Sequence, residues 1–115
     1  MSISDFYRGD TQTYKITIRD KVTGTPVDIT GSTFWFTLKE SPDLPDSEAS
    51  IQKSVTNHTD PTNGVTIITL TPSDTGSLSP NTRYYYDFQW VTNTGDVHTI
   101  IAGKVKVLQD VTRSS

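Results

Sequence analysis

Residues 78–91 read L-S-P-N-T-R-Y-Y-Y-D-F-Q-W-V, and the order of the aromatics within them decides the fold. Tyr84, Tyr86, Phe88 and Trp90 recur at every second position, while Tyr85, Asp87 and Gln89 fill the positions between them. An extended strand sends successive side chains to opposite faces, so one face of this segment carries four rings in a row. At helical spacing the same rings would spread around the whole circumference. The pattern predicts a central strand whose ring-bearing face is the middle of a core.

Working upstream, Leu78, Pro80, Thr82, Tyr84 and Tyr86 stand at two-residue intervals. This spacing resembles the corner before strand F of fibronectin type III and immunoglobulin-like domains, where a tyrosine hydroxyl bonds back to the preceding backbone. Tyr84 is the candidate for that role. Downstream, residues 93–96 (N-T-G-D) predict a hairpin turn into a last strand over residues 97–108. There Val97, Thr99, Ile101, Val105 and Val107 share one parity, with His98, Lys104 and Lys106 on the other. Gly103 falls on the inward parity, which suggests a bulge or the close approach of a neighbour.

The rest of the chain alternates in the same way. Tyr14, Ile16 and Ile18 define a half-buried strand, and residues 20–26 carry the Asp, Gly and Pro of a reversal near Thr23 and Gly24. Thr33–Lys39 puts Phe34, Phe36 and Leu38 inward and Trp35 outward. Residues 40–50 read as an acidic, proline-bearing loop, residues 51–55 as an edge strand and residues 65–70 as a mostly buried strand. Ser73 or Asp74 is placed to cap a single helical turn ending at Gly76. The sum is one all-β domain over residues 1–115, an immunoglobulin-like or fibronectin III-like antiparallel β-sandwich of about seven strands. Residues 1–10 and 109–115 are expected to be a peripheral lead-in and tail.

Composition excludes more than it assigns. There is no cysteine among the 115 residues, so disulfides, thiolate metal sites and a thiol nucleophile are ruled out. The 10 basic and 13 acidic residues are interspersed, with none of the basic striping of a nucleic-acid binder. No run approaches the roughly 20 apolar residues of a membrane-spanning helix. The opening decapeptide lacks the apolar core of a signal peptide, which predicts a protein made in a cytoplasm. Hydrophobic residues make up only 32%, which suits a sandwich whose strands wet one face.

No catalytic constellation stands out. His58 and His98 lack any metal-ligand spacing and read as surface histidines, and the acids of residues 40–48 lack the D-x-D-x-D-G order of a calcium loop. No serine sits in G-x-S-x-G, and no glycine-rich phosphate loop is present. The expectation is a non-enzyme without metal or cofactor. Arg8-Gly9-Asp10 spells a tripeptide read by adhesion receptors, but its position before a strand favours a turn with Gly9 at positive φ. Asn57-His58-Thr59 fits the glycosylation pattern without a secretion signal to use it.

The order of several short stretches resembles a known group. R-G-D-T at residues 8–11, V-D-I-T-G at 27–31, L-T-P-S-D-T-G-S-L at 70–78, Y-Y-Y-D-F at 84–88, G-D-V-H-T-I-I-A-G-K-V-K-V at 95–107 and D-V-T-R at 110–113 run through nearly the whole chain. Together they resemble small proteins and domains of tailed bacteriophages and prophages, including the amino-terminal immunoglobulin-like domain of phage baseplate upper proteins. The resemblance implies a virion component, in tail or baseplate, that docks on other structural proteins and has no catalytic residues. Those stretches would be fold markers. No coiled-coil or receptor-binder-holding region of the larger baseplate proteins is evident, so a head or neck location stays open.

The expected partners are other phage structural proteins or a second copy of the chain, with neither nucleic acid nor membrane. Phe6, Tyr7, Trp35, Tyr85 and Ile100 are the candidate contact residues; Tyr84, Tyr86, Phe88, Trp90 and Gly103 are the structural ones. Trp35 on the outward parity has two readings, a contact site or a ring covered by a loop or neighbouring strand. The alternative function is a ligand-binding module, such as one for carbohydrate, with Trp35 or Tyr85 as a stacking platform.

Overall fold

The ring-bearing segment is a strand at the middle of the larger of two sheets. In the computed structural model, which describes residues 3–111, one sheet runs β1 (Phe6–Tyr7), β7 (Val97–Leu108), β6 (Thr82–Val91), β3 (Thr33–Lys39), β4 (Ile51–Val55). A second sheet pairs β2 (Gln12–Thr17) with β5 (Val65–Leu70). Among the described residues this is an all-β sandwich of seven strands. The pairing is antiparallel with one exception. β1 lies parallel to the end of β7, Phe6 beside Val107 and Tyr7 beside Leu108.

The core follows from the register of β3 on β6. Phe34 faces Trp90, Phe36 faces Phe88 and Leu38 faces Tyr86. Residues directly opposite share a face, so two alternating sequences pool their apolar sides into one layer. Phe34, Phe36, Leu38 and Phe88 are wholly buried. Phe36 and Phe88 meet at 4.9 Å, and Tyr14 of β2 closes over both from the opposite sheet at 5.8 and 5.6 Å, edge-on to Phe88. Each such ring pair adds about 0.5–1.5 kcal/mol beyond its area. Ile16, Ile68 and Leu70 complete the smaller sheet's side of the layer.

The predicted corner is present. The Ser79 backbone N–H donates to the Tyr84 hydroxyl at 2.8 Å, with Tyr84 buried. The helical turn ahead of it is α1 (Pro72–Gly76), but its cap is Thr71 rather than Ser73 or Asp74. Thr71 accepts from the Asp74 N–H while Asp74 accepts from the Thr71 N–H, a reciprocal box that places Asp74 three residues inside. Pro72, with φ preset, occupies the first turn where its missing N–H costs nothing.

Two expectations on β7 change. The strand does not keep one parity, because its pairing steps from Phe88–Ile101 to Gln89–Thr99 and leaves Ile100 as the extra residue of a bulge. Upstream of the bulge the faces exchange. His98 stands opposite Trp90, their rings 5.2 Å apart, and Val97 turns out to solvent. Gly103 lies outside the bulge and answers instead to close approach. A methyl group there would meet the Tyr86 hydroxyl at 3.0 Å and its ring at 3.2 Å.

The lead-in is not peripheral. Ile3 and Phe6 are buried in the core, and the Ile3 N–H donates to the Tyr86 hydroxyl at 3.2 Å. The Lys106 N–H donates to Asp5 Oδ1 at 2.9 Å, so the first residues close an otherwise open edge of β7. A strand of two residues has no period to read, which is why sequence pattern missed it. At the other end Gln109 and Asp110 are half-buried, while residues 112–115 of the expected tail lie outside the described residues.

Two tyrosines give a paired test of this account. Tyr84→Phe leaves the Ser79 N–H without its acceptor and should cost about 1–3 kcal/mol in urea unfolding. The Tyr14 hydroxyl is buried with no protein partner, so Tyr14→Phe should be neutral or stabilising. Burial first, and Tyr86 second, push the Tyr14 pKa from 10.0 up to about 12. The folded state therefore holds that proton more tightly. The stability tied to it is complete below pH 10 and is lost as pH rises toward 12, and Tyr14→Phe should flatten that part of the stability curve.

Candidate functional site

The outer face of the larger sheet is built in three rows of side chains. Cross-strand register aligns Ser54, Trp35, Gln89 and Thr99 in one row, Gln52, Thr37, Asp87 and Ala102 in the next, and Lys39, Tyr85 and Lys104 in the third. Thr37, Asp87 and Ala102 of the middle row are short, while Trp35 and Gln89 on one side and Lys39, Tyr85 and Lys104 on the other are long. A trough results, running across the strands, with a volume of about 610 Å³. Its walls are Trp35 and Gln89 on one side and Tyr85 and Lys104 on the other, with Asp87 in the floor.

The loop of residues 40–50 closes one end. Lys39 Nζ holds it by donating to the Leu44 carbonyl and to Asp46 Oδ1, both at 2.8 Å. That ammonium keeps the Asp46 carboxyl below the usual carboxylate range. Pro42 and Asp46 of this loop reach the trough. The opposite wall is a stack in which the Lys104 ammonium sits 5.6 Å from the centre of the Tyr85 ring.

Asp87 stands apart. Half-buried between strands, its carboxylate makes no hydrogen bond or ion pair within 4.0 Å among the described residues, although Lys39 shares the trough. Burial raises its pKa above the ordinary value; Lys39 pulls it down and Asp46 pushes it up. A sheet position carrying an unpaired, partly desolvated acid is the kind of place where function outweighs stability.

The predicted contact residues divide. Trp35 and Tyr85 are half-buried and line this trough together, four strand positions apart on neighbouring strands. Tyr7 is exposed at the far edge, 52% accessible, on the last residue of β1. Phe6 is corrected to a core residue, 3% accessible, because the parallel pairing of β1 turns it inward. Ile100, the extra residue of the bulge, is half-buried against the core. Sequence parity had marked Asp87 and Gln89 as outward but could not show that they share a concavity with Trp35.

The remaining motifs are structural. Arg8 is committed to Asp110 through Nε at 3.0 Å, Gly9 takes φ +87°, and the Asp10 carbonyl accepts from Thr75 Oγ1 at 2.7 Å. His58 is not a solvated loop histidine. One ring nitrogen meets Thr66 Oγ1 at 2.9 Å and the other the Ser32 carbonyl at 2.7 Å, with Phe34 edge-on at 5.4 Å. His98 is exposed but lies against Trp90 rather than on the outer face. No three metal-capable side chains converge among the described residues, and no described helix is long and apolar enough to cross a membrane. No protein-family model matches the chain, and no curated protein matches it in sequence.

Ionised Asp87 is a burden on the fold. Its folded pKa is raised, so its contribution is most favourable at low pH and is lost as pH rises through that value. Asp87→Asn should therefore raise Tm at pH 7, and the gain should vanish once pH falls below about 3.9, where the unfolded carboxyl is protonated as well. A lower Tm for Asp87→Asn at pH 7 would show that attraction to Lys39 outweighs burial.

Proposed function

We propose that this chain is a non-enzymatic structural domain of a tailed-phage virion, placed in tail or baseplate and acting through its surface. What carries the reading is that the stretches responsible for the resemblance are joined to one another across the fold. R-G-D-T meets D-V-T-R through Arg8 and Asp110, and meets L-T-P-S-D-T-G-S-L through Asp10 and Thr75, contacts that span 102 and 65 residues. Residues 28–30 form their own closed turn, with Asp28 accepting from the N–H and hydroxyl of Thr30 at 2.9 and 2.6 Å. A set of short motifs that lock distant ends of one sandwich together is what fold markers of a domain family should be.

The architecture suits docking. β2 pairs only with β5 among the described strands, leaving one backbone edge of the smaller sheet open for a partner's strand. In a symmetric particle such a contact is repeated, so modest affinity at each copy suffices.

The test is made on particles of the phage or prophage that encodes the chain. The chain should co-sediment with purified tails in stoichiometric amount, and deletion of its gene should leave incomplete particles. Complete, infectious particles that lack the chain would overturn the proposal.

A further inference from the structure

Beyond a docking role, we infer that the trough on the outer face of β4, β3, β6 and β7 is a binding site for a neutral oligosaccharide. Four observations converge on that ligand. Two broad rings, Trp35 and Tyr85, stand on facing walls, and flat rings bind the apolar faces of sugar rings. They are four strand positions apart, roughly 13 Å by strand rise, which suits a short chain of sugars lying between them rather than a single ring.

The second observation is the unspent polar capacity between those rings. The Asp87 carboxylate, the Gln89 amide and the Lys104 ammonium make no hydrogen bond to protein among the described residues. Across the trough an acceptor in the floor lies between an amide on one wall and a donor on the other, the complement of a polyol whose every hydroxyl both gives and takes. Third, the charges balance. The four ionised groups lining the trough are Lys39, Lys104, Asp46 and Asp87, two of each sign, with Lys39 and Asp46 already paired. A polyanion or a strongly charged peptide finds no excess to meet.

Fourth, the floor is polar. Thr37 and Asp87 occupy the middle row, so an apolar knob from another copy of this chain would bury a carboxylate without a partner. The site is also pre-formed, since Lys39 anchors the loop at one end and Lys104 braces Tyr85 at the other. This inference does not depend on the virion reading. Sugar binding by a protein that is absent from particles would separate the two.

The chain contains two tryptophans, which makes the test internally controlled. Purified protein is titrated with maltotetraose, cellotetraose and tetra-N-acetylchitotetraose while the two indole N–H resonances are followed. At least one sugar should shift the Trp35 signal saturably, with a Kd in the millimolar range or tighter, and leave Trp90 unmoved. Trp35→Ala and Tyr85→Ala should each weaken binding at least roughly tenfold, and Asp87→Asn should weaken it too. An unshifted Trp90 resonance in each variant reports that the fold is kept. The inference is overturned if none of the three sugars moves Trp35, or if binding survives Trp35→Ala. It is overturned in favour of self-association if the Trp35 signal moves with protein concentration alone.

Discussion

The pairing of β3 with β6 is the constraint on which the rest of the molecule depends. Because a strand alternates with a period of two, one register choice places Phe34, Phe36 and Leu38 beside Trp90, Phe88 and Tyr86, and a slip of β3 by one residue would turn its whole apolar set to water. That choice fixes both faces at once. The inner face becomes an aromatic layer over which Tyr14 closes, and the outer face becomes the three rows that shape the trough. Core and candidate site are two sides of the same ladder.

Polar contacts then close what the ring layer leaves open. Tyr84 fastens the corner ahead of β6, Asp5 covers an N–H on the edge of β7, and Arg8 with Asp110 ties the first strand to the end of the last. Lys53, on the core-facing parity of the edge strand β4, reaches Asp74 of the helical turn at 2.8 Å. The ion pairs are each worth little beside the buried Tyr84 bond, but the contacts on β1, β4 and β7 act at edges, where an unpaired backbone would otherwise fray or recruit another chain. The same tyrosine chemistry serves two ends. The Tyr84 hydroxyl is satisfied and the Tyr14 hydroxyl is not, although both belong to one core.

On the outer face the balance runs the other way. Short Thr37, Asp87 and Ala102 between longer neighbours make a depression that a stability-driven sheet would fill. Asp87 is held there without a partner while burial works against its charge. The β7 edge of the larger sheet is covered by β1 and Asp5, whereas the centre of its outer face keeps a carboxylate without a side-chain partner among the described residues. Surface contact in a particle and contact with a polyol are compatible uses of such a scaffold, since the open edge of β2 lies on the other sheet.

Much of this was legible in the residues alone. Alternation in residues 12–17, 33–39 and 82–91 determined that they are strands, and which side chains they bury, because a period of two is a local property; residues 65–70, which do not alternate, read as a strand from their β-branched content. The spacing from Leu78 to Tyr84 likewise announced the corner. What only the tertiary structure decided are the features that depend on the partner strand. Phe6 is core because β1 lies parallel to β7, and two residues carry no period that would announce it. Ile100 is a bulge because the register of β7 on β6 steps there, which exchanges the faces of His98 and Val97. Trp35, Tyr85 and Asp87 form one site because the lengths of side chains in three cross-strand rows make a hollow. A row across a sheet is written in four separate stretches of chain, and no single stretch contains it.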